Sequence, residues 1–168
     1  MLIQSYGLFW KANEIDWFPG NGNRGFRLLG RRGSHAANLE LADFRSQRGI
    51  YILYGNRGAH YVGLCRRQGL GARLKQHLSD KHEDKWDRFS WFGFCALLKK
   101  RDKDGLLPLK ALPQVQLGAP EKAIADLEAL LIKAMGLSNV ADMKFQSAHE
   151  WTQVEEGEVE KFLEKASL

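Results

Sequence analysis

The middle of the chain holds two apolar runs separated by a break too short for anything but a reversal. Gly49 to Tyr54 is built of β-branched and aromatic residues, and His60 to Leu64 is a second such run. Asn56, Arg57 and Gly58 lie between them, with Gly55 just before. Two such runs joined by an Asn/Gly connection predict a β-hairpin with a loop of about four or five residues. In that hairpin Tyr51 and Tyr61 come close on neighbouring strands and reach one surface.

A helix is expected next, over Gly69 to Leu78. Leu70, Leu74 and Leu78 recur every four residues, the spacing of one helical face. Arg73 and His77 are also four apart, so they project side by side from the edge of that face. Further on, Pro120 opens a helix with Glu121 in its first turn, where a negative charge suits the helix dipole. Ile124, Leu127, Leu131 and Ala134 form its apolar stripe and Gly136 ends it. Glu128 sits against that stripe, where a carboxylate needs a partner or a cation. Asp126, on the other side, is expected to face solvent.

Taken together, these residues resemble the GIY-YIG nuclease family. The two halves of the family's name stand here as Gly49-Ile50-Tyr51 and Tyr61-Val62-Gly63. Arg73 and His77 match its helix pattern, and Glu128, in Leu127-Glu128-Ala129-Leu130, matches its metal-binding glutamate. Asn139 falls near the place where several members have an asparagine. The resemblance covers residues 49–139 and implies a metal-dependent endonuclease that hydrolyses DNA phosphodiester bonds. It implies Tyr51, Tyr61, Arg73, His77, Glu128 and Asn139 as catalytic residues, with Glu128 holding Mg²⁺ or Mn²⁺. The layout is closer to small stand-alone or restriction-type members than to repair subunits. A homodimer is the assembly that double-strand cleavage would call for. Two other readings stay open: a DNA-binding module that keeps the fold without cleavage, and an RNA-cleaving toxin or defence effector.

The chemistry asks for these residue types. Mg²⁺ keeps several waters and uses one or two carboxylates plus substrate phosphates, so one glutamate suffices. Arginine presents a fixed fork of donors to a phosphate, which lysine does poorly. The resemblance makes Tyr51 the general base. A free phenol of pKa about 10 is only roughly 0.1% ionised at pH 7, so it needs a neighbouring cation. Tyr61 shares that role or positions the water, and His77 orients Tyr51 or relays its proton.

Charge agrees with a polyanion partner. The net charge is +5, but residues 49–78 carry Arg57, Arg66, Arg67, Arg73 and Lys75 with no Asp or Glu. From Glu121 onward there are ten acids against five lysines. Arg57, Arg66, Arg67 and Lys75 are the expected DNA-binding residues. Cys65 and Cys95 have no CxxC spacing, which fits two reduced thiols in a cytoplasmic protein. No run of roughly 18 apolar residues exists to span a membrane, and no signal peptide opens the chain.

At 168 residues the chain is expected to form one domain. Residues 1–48 read as an N-terminal extension with short strands at Tyr6 to Trp10 and Phe26 to Leu29. Its Arg24, Arg27, Arg31 and Arg32 lie among Trp10, Trp17 and Phe26. Either these contact DNA, or the aromatics are core and the arginines solubilise. Arg88 to Leu98 reads as a third strand, Ser79 to Lys85 as a polar loop, and Gly105 to Pro120 as an extended connection. In the loop, His82 and Glu83 are able to approach a substrate, though no pattern demands it. Residues 140–168 end in a docking helix built on Val159, Phe162, Leu163 and Ala166. The expected architecture is α+β: a small antiparallel three-stranded sheet flanked by helices, with the N-terminal elaboration beside it.

Overall fold

The computed structural model describes residues 2–20, 25–110, 126, 129–131, 133–135 and 148–168. The fold is α+β. Its strands are β1 (Ser5–Lys11), β2 (Leu29–Arg32), β3 (Glu40–Asp43), β4 (Gly49–Gly55), β5 (Gly58–Cys65), β6 (Arg88–Gly93), β7 (His149–Glu150) and β8 (Thr152–Gln153). Helices α1 (Leu70–Gln76) and α2 (Val159–Ser167) accompany them, and residues 126, 129–131 and 133–135 are also helical.

The expected hairpin forms from β4 and β5. Gly55 pairs with Gly58, so the loop is shorter than predicted, with only Asn56 and Arg57 between. Gly58 takes φ 101°, a conformation that L side chains rarely adopt. The sheet is not three-stranded. It has five strands in the order β5-β4-β6-β1-β7, and a second sheet of three strands runs β3-β2-β8. β4, β5 and β6 are the expected core. Their free edge on β6 is taken by β1, antiparallel, and β1 pairs with β7 in parallel. An open β6 edge would leave a row of unpaired amides and carbonyls. Residues of the N-terminal segment therefore complete the main sheet. Phe26 to Leu28, expected to begin a strand, are irregular, and β2 starts at Leu29.

The two faces of the main sheet are covered differently, because alternate residues of β4 point opposite ways. Tyr51 and Leu53 join Trp10, Phe44, Phe89, Trp91 and the α1 residues Leu70 and Leu74. Trp91 stands at the centre, its ring centroid 4.4 Å from Phe44 and 5.4 Å from Trp10. Ile52 and Tyr54 join Ile3, Tyr6, Phe92 and the helical residues Ala129, Leu130 and Ala134. The Tyr54 hydroxyl donates to the Ala134 carbonyl at 2.7 Å. Each large side chain buried in these layers contributes about 1.5–3 kcal/mol relative to exposure.

The helical stripe differs from the spacing argument. Leu131, expected to be buried, is 59% exposed, and Asp126, expected in solvent, is 4% exposed. Among the described residues of this helix the buried ones are Asp126, Ala129, Leu130 and the expected Ala134, a stripe turned away from Leu131. Leu130 stands beside Leu131 in sequence, so an apolar residue was available on either face there. Pro120, Glu121, Ile124, Leu127, Glu128, Gly136 and Asn139 lie outside the described residues, as does Arg24.

The second sheet and α2 share a further core of Leu29, Leu39, Leu41, Leu106, Val154, Phe162 and Ala166. Trp151 joins the two sheets: its carbonyl accepts from the Trp10 indole at 3.2 Å. Here the N-terminal arginines find protein partners. Arg31 lies over the Phe162 ring at 5.0 Å, and Arg32 pairs with Glu40 at 2.7 Å. Arg27 approaches Asp104 at 3.5 Å. Trp10 and Trp17 are buried. Cys65 and Cys95 are free and buried.

Both glycines of the two tripeptides have a steric reason. Gly49 has φ 149°, and a side chain there would meet the Phe92 carbonyl across the β4–β6 ladder. Gly63 pairs directly opposite Tyr51, whose ring lies across the space a Cβ would occupy. Gly63→Ala should therefore lower stability by about 1–3 kcal/mol, the usual cost of overpacking, because a ring that is 0% exposed has nowhere to retreat. Urea midpoints of the two proteins measure this.

Candidate active site

The site is assembled where β4, β5, the end of α1 and the following loop meet. Tyr51 points from β4 across Gly63 towards α1. His77 is the residue that closes α1, and its amide takes the last helical bonds to the Arg73 and Leu74 carbonyls. The Trp86 indole donates to the His77 carbonyl at 3.2 Å and so holds that helix end. Tyr51 and His77 meet at 2.6 Å, Oη to Nε2. The other ring nitrogen, Nδ1, lies 2.7 Å from the Asp80 carboxylate. A carboxylate only accepts, so Nδ1 carries the ring proton and Nε2 accepts from the Tyr51 hydroxyl. The result is a continuous Tyr51–His77–Asp80 chain.

Asp80 is itself fixed by the loop. Its second oxygen accepts from the His82 amide at 2.8 Å, an Asx-type turn. Desolvation pushes the Asp80 carboxyl up. The hydrogen bonds from the His82 amide and the His77 ring, with the charges of both imidazoles, outweigh it and hold the group below its usual value. His82 is buried and stacks at 4.4 Å on Tyr61 and 4.9 Å from His77, centroid to centroid. Its Nδ1 lies 3.0 Å from Nε2 of His60. Burial lowers the His82 pKa, assisted by His77, His60 and Lys81 against the pull of Asp80.

The sequence-derived residues divide into three groups. Tyr51, Tyr61, Arg73 and His77 come together: the two tyrosine rings are 6.2 Å apart, and Tyr61 lies 5.2 Å from His77. Arg73 stands beside the Tyr51 hydroxyl and hydrogen-bonds Gln76 through Nη1 at 3.0 Å. Its Nε is buried with no hydrogen-bond partner among the described residues. Glu128 and Asn139 lie outside the described residues, and Ala129 and Leu130 pack on the opposite face of the sheet from Tyr51. Of the basic residues, Arg57 is exposed at the hairpin tip, and Arg66 and Arg67 are exposed beyond β5. Lys75 is engaged with the N-terminal segment, its ammonium 4.6 Å from the Phe18 ring and 5.1 Å from Phe26.

Sequence reasoning missed Asp80 and His60 and left His82 without a role. The signal for Asp80 was its i,i+3 spacing from His77 at a helix end. His60 carries no such signal, because its partner lies 22 residues on and is brought in only by the fold.

Tyr51 is 0% exposed. Burial pushes its phenol up to about 12, while the Arg73 charge and hydrogen bond pull it down, and Tyr61 and Cys65 oppose them. At that value about one molecule in 10⁵ is ionised at pH 7. In the resting site Tyr51 is thus a hydrogen-bond donor. Tyr61 is partly exposed and Asp80 and His60 are exposed, so a ligand meets these groups and Arg73 first.

Two other tyrosines are raised as well, Tyr6 to about 12 by burial and Glu150, and Tyr54 upward by burial. The unfolded chain ionises its tyrosines from about pH 10 while the folded chain does not. Stability is then fully present below pH 10 and is lost as pH rises towards 12. Tyr51→Phe removes one of these groups, so its denaturant midpoint should fall less steeply than that of the parent chain over this window.

Comparisons with models of known families, with curated proteins and with solved structures find no match for this chain.

Proposed function

We propose that the protein is a metal-dependent endonuclease of GIY-YIG type that hydrolyses DNA phosphodiester bonds. The observation that carries this is Arg73: a buried Nε without an acceptor among the described residues, at the mouth of the Tyr51–His77–Asp80 chain. A desolvated guanidinium donor left unpaired costs free energy, and an anion relieves it. A phosphate seated on Arg73 lies next to Tyr61 and in front of Tyr51, with exposed Arg66 and Arg67 nearby in sequence to hold the strand.

The roles follow from the geometry. Arg73 neutralises charge as it builds on the phosphate oxygens. His77, with Nδ1 protonated and held by Asp80, keeps Nε2 free to take a proton from the Tyr51 hydroxyl. Tyr61, partly exposed, has surface to offer the attacking water, whereas Tyr51 is buried. Mg²⁺ or Mn²⁺ would act as Lewis acid on the phosphate. The described donors beside Tyr51 are one carboxylate and imidazoles, a set that does not suit Mg²⁺, which takes oxygen ligands. The resemblance alone gives the ion to Glu128, which lies outside the described residues.

Incubation with supercoiled plasmid, with a single-stranded RNA in parallel and a metal-free control, tests the reading. Nicking or linearisation in Mg²⁺ or Mn²⁺ is expected, and Glu128→Gln should abolish it while leaving DNA binding intact. Cleavage of RNA alone would transfer the activity to the other polymer. Absence of any cut would leave a binding module.

Single-turnover rates separate the tyrosines. Loss of the base should lower the chemical step by roughly 10²–10⁴-fold. Arg73→Ala should cost roughly 10²–10³-fold. If Tyr51 is the base, Tyr51→Phe shows the larger loss; if Tyr61 is, Tyr61→Phe does, and Tyr51→Phe acts mainly on stability. Binding should also weaken steeply between low and physiological salt, since each phosphate contact releases counterions.

A further inference from the structure

We propose that His77, Asp80 and His82 form a site for a borderline-soft divalent cation, Zn²⁺ being the best fit, separate from the Mg²⁺ or Mn²⁺ of the nuclease reading. One donor atom from each residue lies within 4.8 Å of the other two. His77 Nδ1 and Asp80 Oδ2 are 2.7 Å apart and share a proton. A metal ion can take that proton's place. Zn–N and Zn–O bonds of about 2.0–2.2 Å in tetrahedral geometry put neighbouring donors roughly 3.3 Å apart, so His77 and Asp80 need separate by only about 0.6 Å. Two imidazoles and one carboxylate are the three-ligand set of open zinc sites, whose fourth position holds water. The same set discriminates against Mg²⁺.

The surroundings are organised as such a site requires. A ligating histidine is normally held by a hydrogen bond at its other nitrogen, and ligating carboxylates are held in turn. Here Tyr51 bonds His77 Nε2, His60 bonds His82 Nδ1, and the His82 amide bonds the second Asp80 oxygen. His77 and His82 are buried, while Asp80 is exposed and gives the ion its way in.

Occupancy has a consequence for Tyr51, which rests on the nuclease reading. With Nδ1 bound to metal, the single N–H proton of the neutral His77 ring is displaced from Nδ1 and taken up at Nε2, which then donates to Tyr51 Oη. His77 then no longer accepts the Tyr51 proton. The ion therefore switches the chain off.

The test uses the full chain without a histidine tag. Zn²⁺ titrated by calorimetry, and Co²⁺ followed by its visible absorption, should each saturate at one equivalent and resist a large excess of Mg²⁺. His82→Ala should weaken binding by more than the roughly 10–100-fold typical of losing a supporting group. Because His82 is buried, Asp80→Asn serves as the second variant: its amide oxygen keeps the bond to the His82 amide but not the charge, and it too should bind much more weakly. Non-saturable binding by the parent chain, or parent-like affinity in Asp80→Asn, overturns the site. These readouts need no cleavage, so a chain that binds Zn²⁺ and cuts nothing sinks the nuclease reading and keeps this one. Where cleavage is seen, one equivalent of Zn²⁺ should suppress it, and unchanged cutting overturns the switch.

Discussion

The site depends on the Tyr51 ring lying flat across a strand position that has no side chain. Gly63 stands opposite Tyr51 in the β4–β5 ladder, and only that absence lets the ring reach past β5's backbone to His77. The ring itself belongs to the core, packed with Leu70, Leu74 and Trp91. Its hydroxyl belongs to the polar chain. Packing and chemistry are therefore not alternatives for this residue. One end of the side chain supplies apolar burial and the other a hydrogen bond whose partner is anchored by a helix terminus.

That anchoring is spread over three elements. α1 brings His77 to its own last turn, the Trp86 indole secures the carbonyl there, and the Asx turn at Asp80 fixes the carboxylate behind the ring. None of these contacts is strong alone. Each intramolecular hydrogen bond is worth about 0.5–1.5 kcal/mol net. Their value lies in geometry: they choose one tautomer of His77. The neighbouring imidazoles of His60 and His82 extend the same polar seam from the buried tyrosine to the surface.

The electrostatics of the seam are set by burial first and charge second. The Tyr51 phenol is raised although Arg73 stands beside it, and the Cys65 thiol below it is raised to about 12 by burial in spite of Arg73 and Arg48. Burial also leaves the Arg73 Nε without a hydrogen-bond partner among the described residues.

Local pattern made much of this legible in advance. Apolar alternation and an Asn/Gly break specify the hairpin, four-residue spacing specifies α1, and Arg73 and His77 share its edge because of helical geometry alone. Tyr51 and Tyr61 follow from strand alternation. What pattern could not decide was everything that depends on which surfaces meet. β1 joining the β6 edge, the rotated stripe that buries Asp126 and exposes Leu131, the engagement of Lys75 by Phe18, and the pairing of His60 with His82 all join residues without a shared local period. Periodicity reports one element's own faces. It contains no term for the partner that covers them, and several apolar faces of similar size compete until the whole chain has packed.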